Sequence, residues 1–254
     1  YLKPAIGKKF NLDISQIILG NGSNDILELV ARTFLTKNDE AIYSEHAFAV
    51  YPLVIKAIGA KGIEAKSLNF SHDLESFKKA INNKTKVIFI ANPNNPTGTL
   101  LSKEIVKDFL DYIPKNIIII LDEAYDEYLS DKNKSEAFRW LKDYDNLIIS
   151  RSFSKAYGLA GLRIGFGVGS SKIIEFMNRI RQPFNVNCIA QSAATASLQD
   201  DNFIQLSKKI NDQGMKQITD AFNDLKIKYI PSFGNFISFN LEDENQAMLY
   251  YQHL

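Results

Sequence analysis

A chain of 254 residues, 45% hydrophobic and 23% charged with a formal net charge of +1, has the composition of a globular protein, with length for one large domain and part of a second. Near-neutral charge argues against nucleic-acid and membrane-surface partners, because no face is forced to be basic. The longest apolar run, residues 117–121, is too short to cross a membrane, and no signal-peptide pattern opens the chain. One cysteine, Cys188, cannot form an internal disulfide and is expected as a small core residue in a helix; the expected location is the cytoplasm. His46, His72 and His253 are scattered without ligand spacing, so no metal site is expected. The chain opens at Tyr1 and stops within a helical pattern, so a further piece is expected at either end.

Residues 4–10 read as the end of a helix and 17–19 as a short strand running into Gly20-Asn21-Gly22-Ser23-Asn24-Asp25. Ile26, Leu27, Leu29, Val30 and Phe34 then recur at helical spacing, which puts the glycine turn at a helix N-terminus that Ser23 or Asn24 can cap. Such a start is either a plain capping turn or an anion site, since its free N–H groups and the helix dipole favour negative charge. Residues 40–44 are strand-like and 48–58 helix-like, with Phe48 and Tyr51 spaced as core aromatics. A strand over 62–67 and an amphipathic helix over 73–81 follow. The buried-type strand 86–91 runs into Asn92-Pro93-Asn94-Asn95-Pro96-Thr97-Gly98, a stiff loop that is a simple turn or a ligand-contacting one.

A helix over 102–112 precedes Ile117-Ile118-Ile119-Ile120-Leu121, apolar on both faces as a buried parallel strand is. It ends in Asp122-Glu123-Ala124-Tyr125. A carboxylate at the tip of a central strand either caps a helix or meets a cation or donor. A strand over 147–150 leads into Ser152-Phe153-Ser154-Lys155 and on to Arg163. Lys155 by itself reads as an ordinary strand-to-loop lysine or as an amine placed to form a Schiff base. Strand 164–168, helices 171–180, 189–198 and 202–225, strands 228–230 and 235–240, and a helix over 245–254 complete the chain. Alternating strands and helices up to about residue 170 predict an α/β fold: a mostly parallel sheet covered on both faces, followed by the start of an α+β domain.

Four strand-end loops thus carry unusual residues, and in an open α/β sheet such ends face one crevice. Asn92-Pro93-Asn94-Asn95-Pro96-Thr97-Gly98, Asp122-Glu123-Ala124-Tyr125, and Ser152-Phe153-Ser154-Lys155 with Arg163 occur in an order and spacing that resembles the class I/II aminotransferases, fold-type I enzymes of pyridoxal phosphate. The resemblance implies a seven-stranded-type large domain over residues 1–200 and an incomplete small domain over 201–254. It implies that Lys155 holds the cofactor as a Schiff base and moves the substrate proton, and that Asp122 pairs with the pyridine N–H. Tyr125 and Asn95 match the positions that hydrogen-bond the ring oxygen, and Phe48 the position that stacks on the ring. Gly22, Ser23 and Asn24, with Ser152, Ser154 and Arg163, match the phosphate cradle.

Phe48-Ala49-Val50-Tyr51, the run from Arg181 through Gln182-Pro183-Phe184-Asn185-Val186 to Asn187, and Gly234-Asn235-Phe236-Ile237 look like the histidinol-phosphate aminotransferase branch. That likeness implies transfer of an amino group between glutamate and imidazole-acetol phosphate in histidine biosynthesis, with Arg181, Asn187 and Asn235 on the substrate side. It implies a homodimer, small-molecule amino donor and 2-oxo acid as partners, an anion-gripping arginine beyond Leu254, and a partner-subunit tyrosine from upstream of Tyr1. A threonine-phosphate decarboxylase of the same fold, another class I/II aminotransferase, and a non-enzymatic regulator domain are the competing expectations.

Overall fold

The structure is a computed structural model that describes residues 1–241 and 243–253. Helix α1 (Leu2–Phe10) leads through β1 (Ile17–Gly20), α2 (Ser23–Phe34), β2 (Glu40–Ser44), α3 (Val50–Ile58) and β3 (Lys61–Ala65) to a small hairpin, β4 (Ser67–Leu68) and β5 (Ser71–His72). Next come α4 (Leu74–Ala80), β6 (Thr85–Ala91), α5 (Lys103–Tyr112), β7 (Ile118–Asp122), the single turn α6 (Ala137–Trp140), β8 (Leu147–Ser152) and β9 (Gly165–Gly169). The chain continues with α7 (Ser171–Ile180), α8 (Cys188–Ser197), the long α9 (Asp201–Asp224), the pair β10 (Tyr229–Ile230) and β11 (Ser238–Phe239), and α10 (Glu244–His253).

Among the described residues the central sheet has seven strands in the order β1-β9-β8-β7-β6-β2-β3. The five from β8 to β3 are parallel, and β9 runs antiparallel to both of its neighbours. A two-residue side-chain period divides the core. Val87, Phe89 and Ala91 of β6, Ile120 of β7 and Ile148 of β8 pack with α2, α3 and α7 on one face. Ile88 and Ile90, Ile119 and Leu121, and Leu147 and Ile149 pack on the other face with α1, α4, α5 and α8. Strands buried on both faces have to be apolar throughout, which is why residues 117–121 carry no alternation.

Four expectations are corrected. Cys188 is exposed, because it opens α8 on the side away from Ala190 and Ala194, the residues through which that helix packs. Neither Ser23 nor Asn24 caps α2; the N-cap is Gly22, without a side-chain cap bond, and both residues sit in the first turn. Phe48 and Ala49 precede α3 rather than beginning it, and β8 runs on to Ser152. The expected helix over 245–254 is α10, with Leu254 outside the described residues.

Candidate active site

Strand parity decides what each residue at the strand tips meets. Ala91, Asp122 and Ser150 are register partners across β6, β7 and β8. Asp122 follows Leu121 and so points to the α3 face, whereas Glu123 points to the opposite one. Likewise Ser150 and Ser152 share a face, and Arg151 between them faces away. The carboxyl ends of the parallel strands open on a cavity of about 190 Å³. Asp122, Asn95, Tyr125, Phe48 and Lys155 line it, as do Ser23, Asn24, Ser152, Ser154 and Arg163.

Asp122 is buried and accepts a hydrogen bond from the Tyr51 hydroxyl on Oδ2 at 3.0 Å. Its other oxygen, Oδ1, has no partner within the protein. Burial pushes the Asp122 carboxyl up to about 6, against the opposing pull of Tyr51, Ser150 and Lys155. A buried carboxylate with one oxygen bonded and one without a partner is a site for a cation that donates a hydrogen.

Lys155 and Tyr125 form the adjoining wall. The Lys155 Nζ lies 5.2 Å from the centroid of the Tyr125 ring. Asn95 Nδ2 donates to the Tyr125 hydroxyl at 2.9 Å, and Phe236 packs edge-on against the same ring. Burial pushes the Tyr125 hydroxyl up to about 12, so it is a neutral donor at ordinary pH.

At the opposite end lies a cradle of donors. Arg163 Nη1 donates to Ser154 Oγ at 3.4 Å and to the Ala160 carbonyl at 3.1 Å, and the Ser154 N–H donates to Ser152 Oγ at 3.0 Å. Gly22 has φ +81°, a backbone conformation strained for any side chain, and a Cβ there would stand 2.4 Å from Arg163 Nη2 and displace the guanidinium. Gly165 is constrained by close approach instead, since a Cβ on it would lie 2.5 Å from the Ser23 nitrogen. These two glycines press the N-terminus of α2, the β9 strand and the arginine together into one anion-binding corner.

The residues expected on the substrate side lie elsewhere. Arg181 donates to Asn178 Oδ1, to the Gln182 carbonyl and to Asn185 Oδ1, beside Lys3 in a separate cleft. Asn187 caps α8 through the Ala190 N–H at 2.8 Å and donates to the Leu162 carbonyl at 3.2 Å. Asn235 is exposed on the loop before β11. None of the three lines the cavity that holds Lys155.

Two features escaped sequence reasoning. Tyr51 reads as a core aromatic, yet a fully buried tyrosine needs a hydroxyl partner, and that requirement was the available signal. The second is a buried ionic cluster on the far face: Arg151 contacts Glu123 at 2.9 Å, Asp126 at 2.7 Å and Glu127 at 3.1 Å. Three carboxylates within Glu123-Ala124-Tyr125-Asp126-Glu127, and an arginine directly after the apolar run Leu147-Ile148-Ile149 and Ser150, were its trace in the sequence.

A flat ring bearing an anion at one end and a protonated nitrogen at the other fits this donor set: the anion at Ser152, Ser154, Arg163 and the α2 N-terminus, the nitrogen at Asp122 Oδ1, and Phe48 beside the face. The sheet with its helices on both faces is the fold that the aminotransferases share. The chain belongs to the family of class I and II aminotransferases, whose family model matches residues 2–254.

Among individual proteins it is similar to the histidinol-phosphate aminotransferase of Methylobacillus flagellatus, 55% identical over 253 residues, covering 100% of this chain and 68% of that protein. It is also similar to histidinol-phosphate aminotransferase 2 of Nitrosospira multiformis, 49% identical, with 98% of this chain and 64% of that protein covered. The crystal structure of the Sinorhizobium meliloti histidinol-phosphate aminotransferase in complex with pyridoxal-5'-phosphate matches with a TM-score of 0.91 at 25% identity, over 96% of this chain and 66% of that one. The chain therefore spans about two thirds of the length of these relatives.

Proposed function

We propose that the chain is the cofactor-holding part of a pyridoxal-phosphate aminotransferase that converts histidinol phosphate and 2-oxoglutarate into imidazole-acetol phosphate and glutamate. The observation that carries the chemistry is that Lys155 and Asp122, whose Oδ1 has no partner within the protein, line one cavity. The substrate assignment is supported by relatives 49–55% identical that bear that name. In this reading residues 1–200 form the large domain and 201–254 begin the small one, and the protein works in the cytoplasm as a homodimer. Among the described residues no helix is long and apolar enough to cross a membrane.

When bound, pyridoxal phosphate supplies an electron sink for negative charge at the substrate Cα. Lys155 Nζ anchors it and then takes and returns the proton of that carbon. Asp122 would pair with the ring nitrogen and keep it protonated. Tyr125, held by Asn95, would donate to the ring oxygen, and Phe48 would flank the ring. The cradle of Ser152, Ser154, Arg163 and the α2 N-terminus takes the phosphate. Arg181, Asn187 and Asn235 are proposed to serve the substrate side of the assembled dimer, since they lie outside the cofactor cavity of their own chain.

Histidinol phosphate added to the cofactor-loaded protein is expected to remove the visible band of the lysine-bound cofactor and leave its amine form, with 2-oxoglutarate restoring the band. A protein inert to histidinol phosphate but responsive to another amino donor would overturn the substrate. Carbon dioxide release from a phosphorylated amino acid would identify a decarboxylase instead.

The Asp122 carboxyl sets a pH dependence whose sign is fixed. Its pKa is raised in the fold, so the neutral form is favoured below about pH 6 and this contribution to the stability of the free protein is lost as pH rises through that value. Pairing with a protonated ring nitrogen needs the ionised form. Affinity for pyridoxal phosphate is therefore expected to climb as pH rises through about 6, and the Asp122→Asn variant to lack that limb, as read by calorimetric titration.

A further inference from the structure

Asp122 presents its two oxygens unequally, and the cause is a residue outside every strand-end motif. Tyr51 sits in the first turn of α3, fully buried, with its ring stacked on Phe89 at a centroid distance of 5.0 Å and an interplanar angle of 24°. Phe48 meets the same ring edge-on at 6.0 Å. With its ring clamped between these neighbours, Tyr51 has one direction in which to aim its hydroxyl, and there it meets Asp122 Oδ2. Burial and the adjoining Asp122 charge hold that hydroxyl in its protonated, donating state. The terminal torsion of an aspartate is broad and nearly two-fold, so without a fixed donor its two oxygens exchange roles at little cost.

We propose that Tyr51 is a positioning residue for the ring-nitrogen contact: its hydroxyl, bonded to Asp122 Oδ2, holds the carboxylate in one orientation and leaves Oδ1, which has no partner within the protein, to the ring nitrogen. The same ring supports Phe48, so one aromatic residue sets both the carboxylate that pairs with the cofactor nitrogen and the side chain that flanks the cofactor ring. The titratable groups facing Asp122 are Tyr51 from α3, Tyr125 after β7 and Lys155 after β8. Of these, Tyr51 hydrogen-bonds the carboxylate directly, Tyr125 and Lys155 interact with it through charge, and Ser150 and the Ala124 N–H also favour its ionised form. This inference rests on pyridoxal phosphate being the cofactor.

The test compares two ligands on the folded protein: pyridoxal phosphate, and its deaza analogue in which C–H replaces the ring nitrogen. Tyr51→Phe keeps the ring packing and removes the donor. It is expected to weaken pyridoxal phosphate about tenfold, the scale of a lost hydrogen bond to a charged group, while leaving the deaza analogue unchanged within about twofold. In an Asp122→Asn background the same substitution is expected to have no effect on either ligand. Equal weakening of both ligands would show a packing role and overturn the proposal, as would unchanged binding of pyridoxal phosphate. Thermal unfolding of each variant shows whether it is folded; should Tyr51→Phe not fold alone, the Asp122→Asn pair carries the comparison, and a Tyr51 effect that persists there overturns the inference. A native protein that binds neither ligand would instead overturn the cofactor reading itself.

Discussion

Replacing Lys155 by alanine is expected to abolish the visible absorption band of lysine-bound cofactor and to lower transaminase turnover by roughly 10⁴-fold or more, since both the covalent anchor and the proton-moving base are lost. The fold is expected to survive. Lys155 is half-buried after β8 with its Nζ 5.2 Å from the Tyr125 ring centroid, and losing its pull on the buried Asp122 favours the neutral form of that carboxyl rather than stranding a charge. Unfolding monitored by far-UV circular dichroism should shift little, while cofactor still binds non-covalently through the Arg163 corner and Asp122. A variant that keeps the band would sink the assignment of Lys155. One that loses band and fold together would mean that the lysine is structural.

Arg151→Met is the converse case, with the large effect on stability. Arg151 is buried between Glu123, Asp126 and Glu127, with its guanidinium 5.0 Å from the Phe138 ring centroid. Glu123 also accepts a hydrogen bond from Ser135. Burial pushes the Glu123 carboxyl up; Arg151 opposes that shift, and Asp126 adds to it. Removing the cation leaves buried carboxylates uncompensated, at a cost of about 3–5 kcal/mol. Carboxylates with raised pKa values favour the fold when protonated, so the loss is expected to be largest near pH 8 and to shrink on going to about pH 5. Urea unfolding at the two pH values measures it, and a loss that does not depend on pH would show that packing, not charge, is what Arg151 provides.

Much of the sheet could be read in advance because a strand buried on both faces has to be written in apolar residues. Residues 117–121, 86–91 and 147–150 declared themselves, and so did the glycine turn at residues 20–22, which only a tight corner requires. The antiparallel sense of β9 was not legible, since hydrophobic pattern is indifferent to strand direction. Nor was the exposure of Cys188, because a small residue at the start of a helix carries no mark of which side will be covered. Adjacent residues were harder still: Asp122 and Glu123 look alike in sequence, and one-residue parity sends the first to the cavity lined by Lys155 and the second to the Arg151 cluster.

The sequence by itself determined the ordered set of Asn95, Asp122, Tyr125, Lys155 and Arg163 at predicted strand ends, because polar residues in that order have no packing reason to be there. Only the tertiary structure decided that Tyr51 points at Asp122, that Oδ1 is left without a partner, that Gly22 and Gly165 close the corner around Arg163, and that Arg181, Asn187 and Asn235 stand outside the cavity. Each of these depends on distances between elements far apart in the chain. Such distances are set by packing against a shared sheet, and no local pattern records them.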